Sequence, residues 1–428
     1  MAQYRVDTKQ LGQPGTRYEV VMIADRWGQV IPNPANPQGM MVDAFGRMRV
    51  AEPFTLFDSQ HRYTEGPQWD ANTSGSATKT YNQNSSSVIL TVTGANNDQT
   101  IYETTKVFPY QPGKSLYILN TFTMAAANTT LRQRVGYFTP NNGVFLEQSG
   151  STNSLNLVVR SWANGSLVEN RVAQSTWNMD KFDGTGNSER TLDITKTQIF
   201  FIDIEWLGVG AVRCGFMVDG VPHVAHTFYH DNRETLPYMQ TATLPLRYEI
   251  TRIATSSGNA SLCHICSTVS SEGGYSASSP ITSAGTGVTY KAATANTERP
   301  MVSVRLNANS LDAVVVLSQA DIAIDSTNKD KNLLYRVLRN PTLTNAGFQY
   351  HPNGTVDFDT NATAVSGGTE IASGYATAGQ PLNIGTAQDL RNQIGRYING
   401  TSEVYTLTIR PDSNINAIAQ MGWFTIVG

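Results

Sequence analysis

Cys263-His264-Ile265-Cys266 has the C-x-x-C spacing of redox pairs and zinc ligands. A redox pair needs a helix N-terminus to stabilise its thiolate. The residues around it alternate as a strand does, and strand residues three apart face opposite ways. Without a bulge the two sulfurs therefore neither close a disulfide nor share a zinc ion. Cys214 shares a face with Val212, Phe216 and Val218 and reads as a buried structural thiol. His223, His226 and His230 form a second cluster. On a strand His226 and His230 share a face but stand about 13 Å apart, too far for one ion. Pro112-Gly113-Lys114-Ser115 ends like a phosphate-binding loop, yet Phe108 stands where the motif needs glycine and a strand follows, so it reads as a turn. Asp203 and Glu205 share a strand face about 6.5 Å apart, near the spacing of glycosidase carboxylates. Alternating acids on an exposed strand are normally solvated, and no catalytic role is expected of them. No G-x-S-x-G, H-E-x-x-H or dinucleotide fingerprint occurs in the chain.

The loop from Asp180 to Ser188, with Asp193 nearby, is the strongest cluster of oxygen ligands. Asp180, Asp183, Asn187 and Asp193 are candidate ligands for Ca²⁺. Their spacing is not that of an EF-hand, and the same residues form ordinary turns. Trp162 and Trp177 lie in the same polar region, where aromatics serve to stack on sugar rings or to anchor a core or interface. The reading from these residues is that the chain is not an enzyme and binds no cofactor and no transition metal.

The elements that would position these residues are strands. Short β-branched runs separated by Asn, Gly and Ser clusters recur from residue 85 to 270. At 198–206 the period is two, with Phe200, Ile202, Ile204 and Trp206 on one face and Ile199, Phe201, Asp203 and Glu205 on the other. Asp219-Gly220 sits between two strand runs and predicts a tight hairpin, because both turn positions need positive φ. The expected fold is all-β: an extended N-terminal arm over 1–65, a jelly-roll-like β-sandwich over 66–270, a linker over 271–298 and a second, smaller β domain over 299–428. The arm follows from Pro14, Pro32, Pro34, Pro37 and Pro53, which interrupt any regular element. The linker follows from the Ser, Ala, Gly and Thr of 271–298. One helix is expected, Ala387–Ile398, capped by Thr386 with Asp389 completing a capping box. Thr360–Gln380 reads as a long loop.

Composition narrows the function. The chain has 428 residues, of which 15% are charged and 40% hydrophobic, with a net charge of −3. It has apolar material for a core and no basic excess for phosphate, so nucleic acid is not an expected partner. Its apolar runs are too short for a spanning helix, and its first ten residues lack a signal-peptide core. Synthesis in a cytoplasm without standard export is expected, and three cysteines exclude a disulfide framework.

Several segments resemble virion structural proteins of tailed bacteriophages, many of them marine. They are Phe45-Gly46-Arg47-Met48-Arg49-Val50 with Glu52-Pro53-Phe54-Thr55-Leu56-Phe57-Asp58, the run Asp180–Ser188 with Leu192-Asp193, then Ile202 to Gly210, and Leu244 to Ile250. The resemblance spans about residues 40–270. It implies a virion component, with a neck or tail appendage expected, and a capsid decoration protein or host-glycan-binding adhesin as alternatives. Partners would be other virion proteins and further copies of the chain, a trimer being preferred. The arm would dock through Phe45, Arg47, Arg49, Phe54 and Phe57.

Overall fold

The computed structural model describes residues 52–275, 279–325, 327, 331–352, 354–377 and 392–426, with the backbone pairing of 23–24 and 30–31. That short ribbon pairs β1 (Ile23–Ala24) with β2 (Val30–Ile31). The body follows as β3 (Phe54–Gln60), β4 (Trp69–Ser74), β5 (Thr78–Asn82), β6 (Ser87–Val92), β7 (Gln99–Thr104), β8 (Ser115–Thr123) and β9 (Leu131–Phe138). It continues as β10 (Gly143–Ser149), β11 (Ser154–Ser161), β12 (Val168–Ala173), β13 (Gln198–Ile204), β14 (Val212–Val218), β15 (Val221–Phe228), β16 (Leu246–Arg252) and β17 (Ala260–Glu272).

These strands form two opposed antiparallel sheets, a jelly-roll-like sandwich. One has seven strands in the order β12-β11-β10-β9-β16-β7-β4. The other runs β15-β14-β13-β8-β17-β6-β5, with β3 also paired to β17. Alternation decides which side chains meet between them. On β8 Leu116, Ile118, Asn120 and Phe122 are buried, while the residues between them are only half-buried. From the facing sheet Tyr102, Val135, Leu146 and Tyr248 join the same core. Asn120 is the polar member of its row, and the Tyr248 hydroxyl on β16 donates to its Oδ1 at 3.0 Å. Val218 pairs with Val221 across Asp219-Gly220, whose φ values of 51° and 79° are the positive pair that turn requires.

The second domain adds β18 (Ile281–Gly285), β19 (Lys291–Ala293), β20 (Arg299–Leu306), β21 (Val314–Ile324), β22 (Asn332–Arg339) and β23 (Thr342–Thr344). After these come β24 (Gln349–Tyr350), β25 (Val356–Asp359), β26 (Ala364–Ser366), β27 (Thr369–Thr377), β28 (Val404–Pro411) and β29 (Ile415–Ile426). A six-stranded sheet, β24-β25-β20-β28-β22-β27, and a smaller one built on β29 enclose a core that includes Trp423, Leu407 and Val304. Val314, Val316, Phe424 and Ile426 of this domain pack on Val107, Phe54, Leu56 and Tyr275 of the body segment.

Four sequence expectations change here. Residues 271–298 carry the end of β17 and the paired strands β18 and β19, because sheet pairing uses backbone groups that composition does not reveal. Phe54 and Phe57 are not contact residues of an extended arm. They lie in β3, and Phe57 is buried against Trp69 and Phe108 in the body core. Phe45, Arg47 and Arg49 lie outside the described residues. The expected loop at 360–380 contains β26 and β27. The expected helix lies outside the described residues over 387–391, and its remainder is not α-helical. Ile394 N–H donates to Val315 O at 2.8 Å and Arg396 N–H to Thr105 O at 2.7 Å, so tertiary partners take the bonds a helix would keep to itself.

Candidate functional site

The structure spends the sequence-derived calcium ligands on turns. Asp180 accepts from the backbone N–H of Phe182 at 2.8 Å and of Ser188 at 2.6 Å. Asp183 accepts from Thr185, and Asp193 from Thr195, each through backbone and hydroxyl. Asn187 is exposed. Among the described residues no group of three or more His, Cys, Asp or Glu side chains is placed to hold a metal ion.

A bulge between His264 and Cys266 alters the geometry of the C-x-x-C run. Cys263 pairs with Thr123 and Cys266 with Thr121, so both cysteines fall on one face. They remain free thiols, as does buried Cys214. His264 points the other way into the core, where its Nδ1 meets His61 Nε2 at 3.0 Å, and burial pushes its pKa well down. His226 accepts from Asn178 N–H at 3.2 Å, and burial brings its pKa down to about 4. His230 stacks on Tyr238 with ring centroids 3.8 Å apart. Asp203 and Glu205 are not on a solvated face: both are buried, and Asp203 is paired with Arg213. Trp177 belongs to the core, stacked on Phe216, and Trp162 is exposed.

The chemistry concentrates instead on the outer face of the seven-stranded sheet. Strand alternation sends Glu103 (β7), Arg247 and Glu249 (β16), Arg132 and Arg134 (β9), Glu147 (β10), Arg160 (β11), and Glu169 and Arg171 (β12) to that face. Register brings opposite charges side by side: Glu103 opposes Arg247, Glu249 opposes Arg134, Arg134 opposes Glu147, and Arg160 opposes Glu169. Arg134 Nε donates to Glu147 Oε2 at 2.7 Å, and Arg171 Nε to Glu147 Oε1 at 2.9 Å. Arg247 Nη1 donates to Glu103 Oε2 at 2.7 Å, and Arg396 of the second domain reaches Glu103 Oε1 at 2.9 Å. Arg160 and Arg171 divide the two oxygens of Glu169. Arg132, Arg134 and Arg247 converge on Glu249. Six guanidinium groups thus engage every oxygen of four carboxylates, an excess of two positive charges.

Burial opposes the charge on Glu249, but Arg247, Arg134 and Arg132 hold its pKa at about 2. Phe138, Phe145 and Val158 form a buried apolar cluster on the same face. Arg160 lies over the Phe145 ring at 4.8 Å and Arg247 over Phe138 at 5.5 Å, so the guanidiniums cap those rings while pairing with carboxylates.

At the β9–β12 end the lattice opens into a groove of about 730 Å³. Three arginines (132, 134 and 171) and one glutamate (147) line it, with Ser149, Ser154, Asn156, Ser151 and Thr152. Arg134 is only 8% exposed, whereas Arg132 is 31% and Arg171 40% exposed. The sequence reading missed this site. Its signal was present as charges at i and i+2 on successive strands: Arg132-Gln133-Arg134, Glu169-Asn170-Arg171 and Arg247-Tyr248-Glu249.

No family model and no curated protein matches the sequence. The fold is similar to several solved structures. A Bacillus licheniformis β-glucanase is 11% identical, with 52% of this chain and 98% of that one covered and a TM-score of 0.32. A legume lectin-like domain from Entamoeba histolytica is 8% identical, with 51% and 98% covered and a TM-score of 0.32. The CBM2 module of the evolved Dit of Lactobacillus casei BL23 phage J-1 is 9% identical, with 53% and 99% covered and a TM-score of 0.33. The expectation that the chain is not an enzyme is corrected by the first of these, a hydrolase of similar fold. No reaction follows from a likeness at this level.

Proposed function

We propose that this chain is a structural component of a tailed-phage virion, a homotrimeric neck or tail appendage that docks through its N-terminal segment. In this reading the seven-stranded sheet of the body is a recognition surface for a host glycan. The open groove over β9–β12 is the observation that carries the recognition role. Its hydroxyl, amide and guanidinium lining offers many hydrogen bonds to a polyhydroxylated ligand and sits on rigid strands. The resemblance at 45–58, 180–193, 202–210 and 244–250 supports the virion role.

Gold-labelled antibody against the body, imaged on intact particles, tests the position. Label at the neck or tail supports the reading, label over the head moves the chain to capsid decoration, and unlabelled particles remove it from the virion. Mass measurement in solution tests the trimer, and a stable monomer at micromolar concentration overturns it.

A further inference from the structure

We infer that the groove over β9–β12 takes an acidic polysaccharide, a chain carrying repeated carboxylates, rather than a neutral sugar or a single sugar acid. The inference rests on the reading that this groove receives a glycan. Three features of the lining carry it.

The first is charge. Three arginines face one glutamate, and Glu147 is already spent, one oxygen on Arg134 and the other on Arg171. Glu249, the carboxylate beside Arg132, serves three guanidiniums at once. Arg132 has a single carboxylate partner among the described residues, Glu249 at 3.3 Å, and is 31% exposed. The lattice is therefore saturated on its acidic side and unsaturated on its basic side. A planar guanidinium fork matches a carboxylate with two parallel hydrogen bonds.

The second feature is what the lining lacks. Neutral sugars are commonly held by an aromatic ring stacked on the sugar face. No aromatic side chain lines this groove, and its apolar contacts come from Ala173 and Ile253.

The third feature is spacing. Arg132 on β9 and Arg171 on β12 are three strands apart and, by the register, offset by four residues along the strands, so their backbones stand about 19 Å apart. One carboxylate cannot span them. Each takes its own, and the hydroxyls and amide of Ser149, Ser154 and Asn156 lie on the strands between. A ligand running across the strands, with charges on separate residues, fits this arrangement.

Calorimetric titration of the full chain with polygalacturonate, and in parallel with laminarin as the neutral polymer, tests the inference. Polygalacturonate should bind with an affinity that falls as salt rises, and laminarin should not bind. Arg132→Gln and Arg171→Gln should each weaken polygalacturonate binding by about tenfold or more, the loss typical of a hydrogen bond to a charged group. Thr152→Glu places a negative charge on the exposed rim without touching the lattice and should weaken binding even if an arginine variant folds poorly. Equal binding of both polymers overturns acid selection and leaves the glycan reading standing. Binding of neither overturns both. Polygalacturonate binding unchanged in all three variants puts the site elsewhere and overturns the assignment. Preference for poly-glutamate over polygalacturonate overturns it in favour of an acidic protein partner.

Discussion

Glu249→Gln should destabilise the body by roughly 3 kcal/mol at neutral pH, and the deficit should shrink in acid. The glutamine keeps the size of the side chain and removes the charge to which Arg132, Arg134 and Arg247 are directed. The Glu249 pKa is held at about 2 against an ordinary 4.5. At about 1.4 kcal/mol per pH unit that depression is worth roughly 3 kcal/mol. Breaking a buried ion pair costs about 3–5 kcal/mol, the same range by an independent route. The sign follows from proton uptake. The unfolded chain takes up the proton near pH 4.5, the folded one only near 2, so the stabilisation is complete above 4.5 and lost as pH falls through about 2. Urea denaturation of wild type and variant, at pH 7 and pH 3, measures both. With a urea dependence of about 3 kcal/mol per M, the midpoint should drop by about 1 M at pH 7 and by about half as much at pH 3. Equal midpoints at neutral pH, or a gap undiminished in acid, would refute the claim that this carboxylate holds the three arginines.

Truncation separates the N-terminal segment from the body. Removing residues 1–51 should leave a folded protein that no longer joins the particle, whereas removing 1–62 also takes β3 and the buried Phe57. Loss of that ring alone costs about 3–5 kcal/mol, so thermal unfolding of the longer deletion should fall well below that of the shorter one. His226, buried and brought down to about 4, stabilises the fold above pH 6.5 and ceases to as pH falls to about 4. His226→Gln should therefore flatten the decline of melting temperature between pH 7 and 4.5, by an amount worth up to roughly 3 kcal/mol.

The parts of the fold set by local periodicity were readable in the sequence. Phe200, Ile202 and Ile204 face the core as their alternation predicts, and Asp219-Gly220 makes the expected hairpin. What local pattern cannot report is which segments find long-range partners. Ile394 and Arg396 looked helical until Val315 and Thr105 offered their carbonyls, and Phe54 and Phe57 read as an arm until β17 offered its edge. Phe201, on the face opposite the core row, is also fully buried, which alternation alone does not foresee. The arginine–glutamate face was written in the chain as alternating charges, but its meaning lies in the register of β7, β16, β9, β10, β11 and β12. Register is a property of the assembled sheet. The same limit applies to the C-x-x-C run, where one bulge reverses the facing that regular geometry dictates.

The way β3 lies against β17 has a consequence for how such proteins diversify. Phe54 pairs with Ser271, so the chain comes into the body and leaves it on neighbouring strands, at the same end and about 5 Å apart. Everything between, including the groove, is one excursion that starts and finishes in the same place. Genetic exchange with crossovers near residues 53 and 273 would replace the whole sandwich as one unit, leaving the flanking segments joined across the same short gap, with Phe54, Leu56 and Val107 the positions that must still fit the second domain.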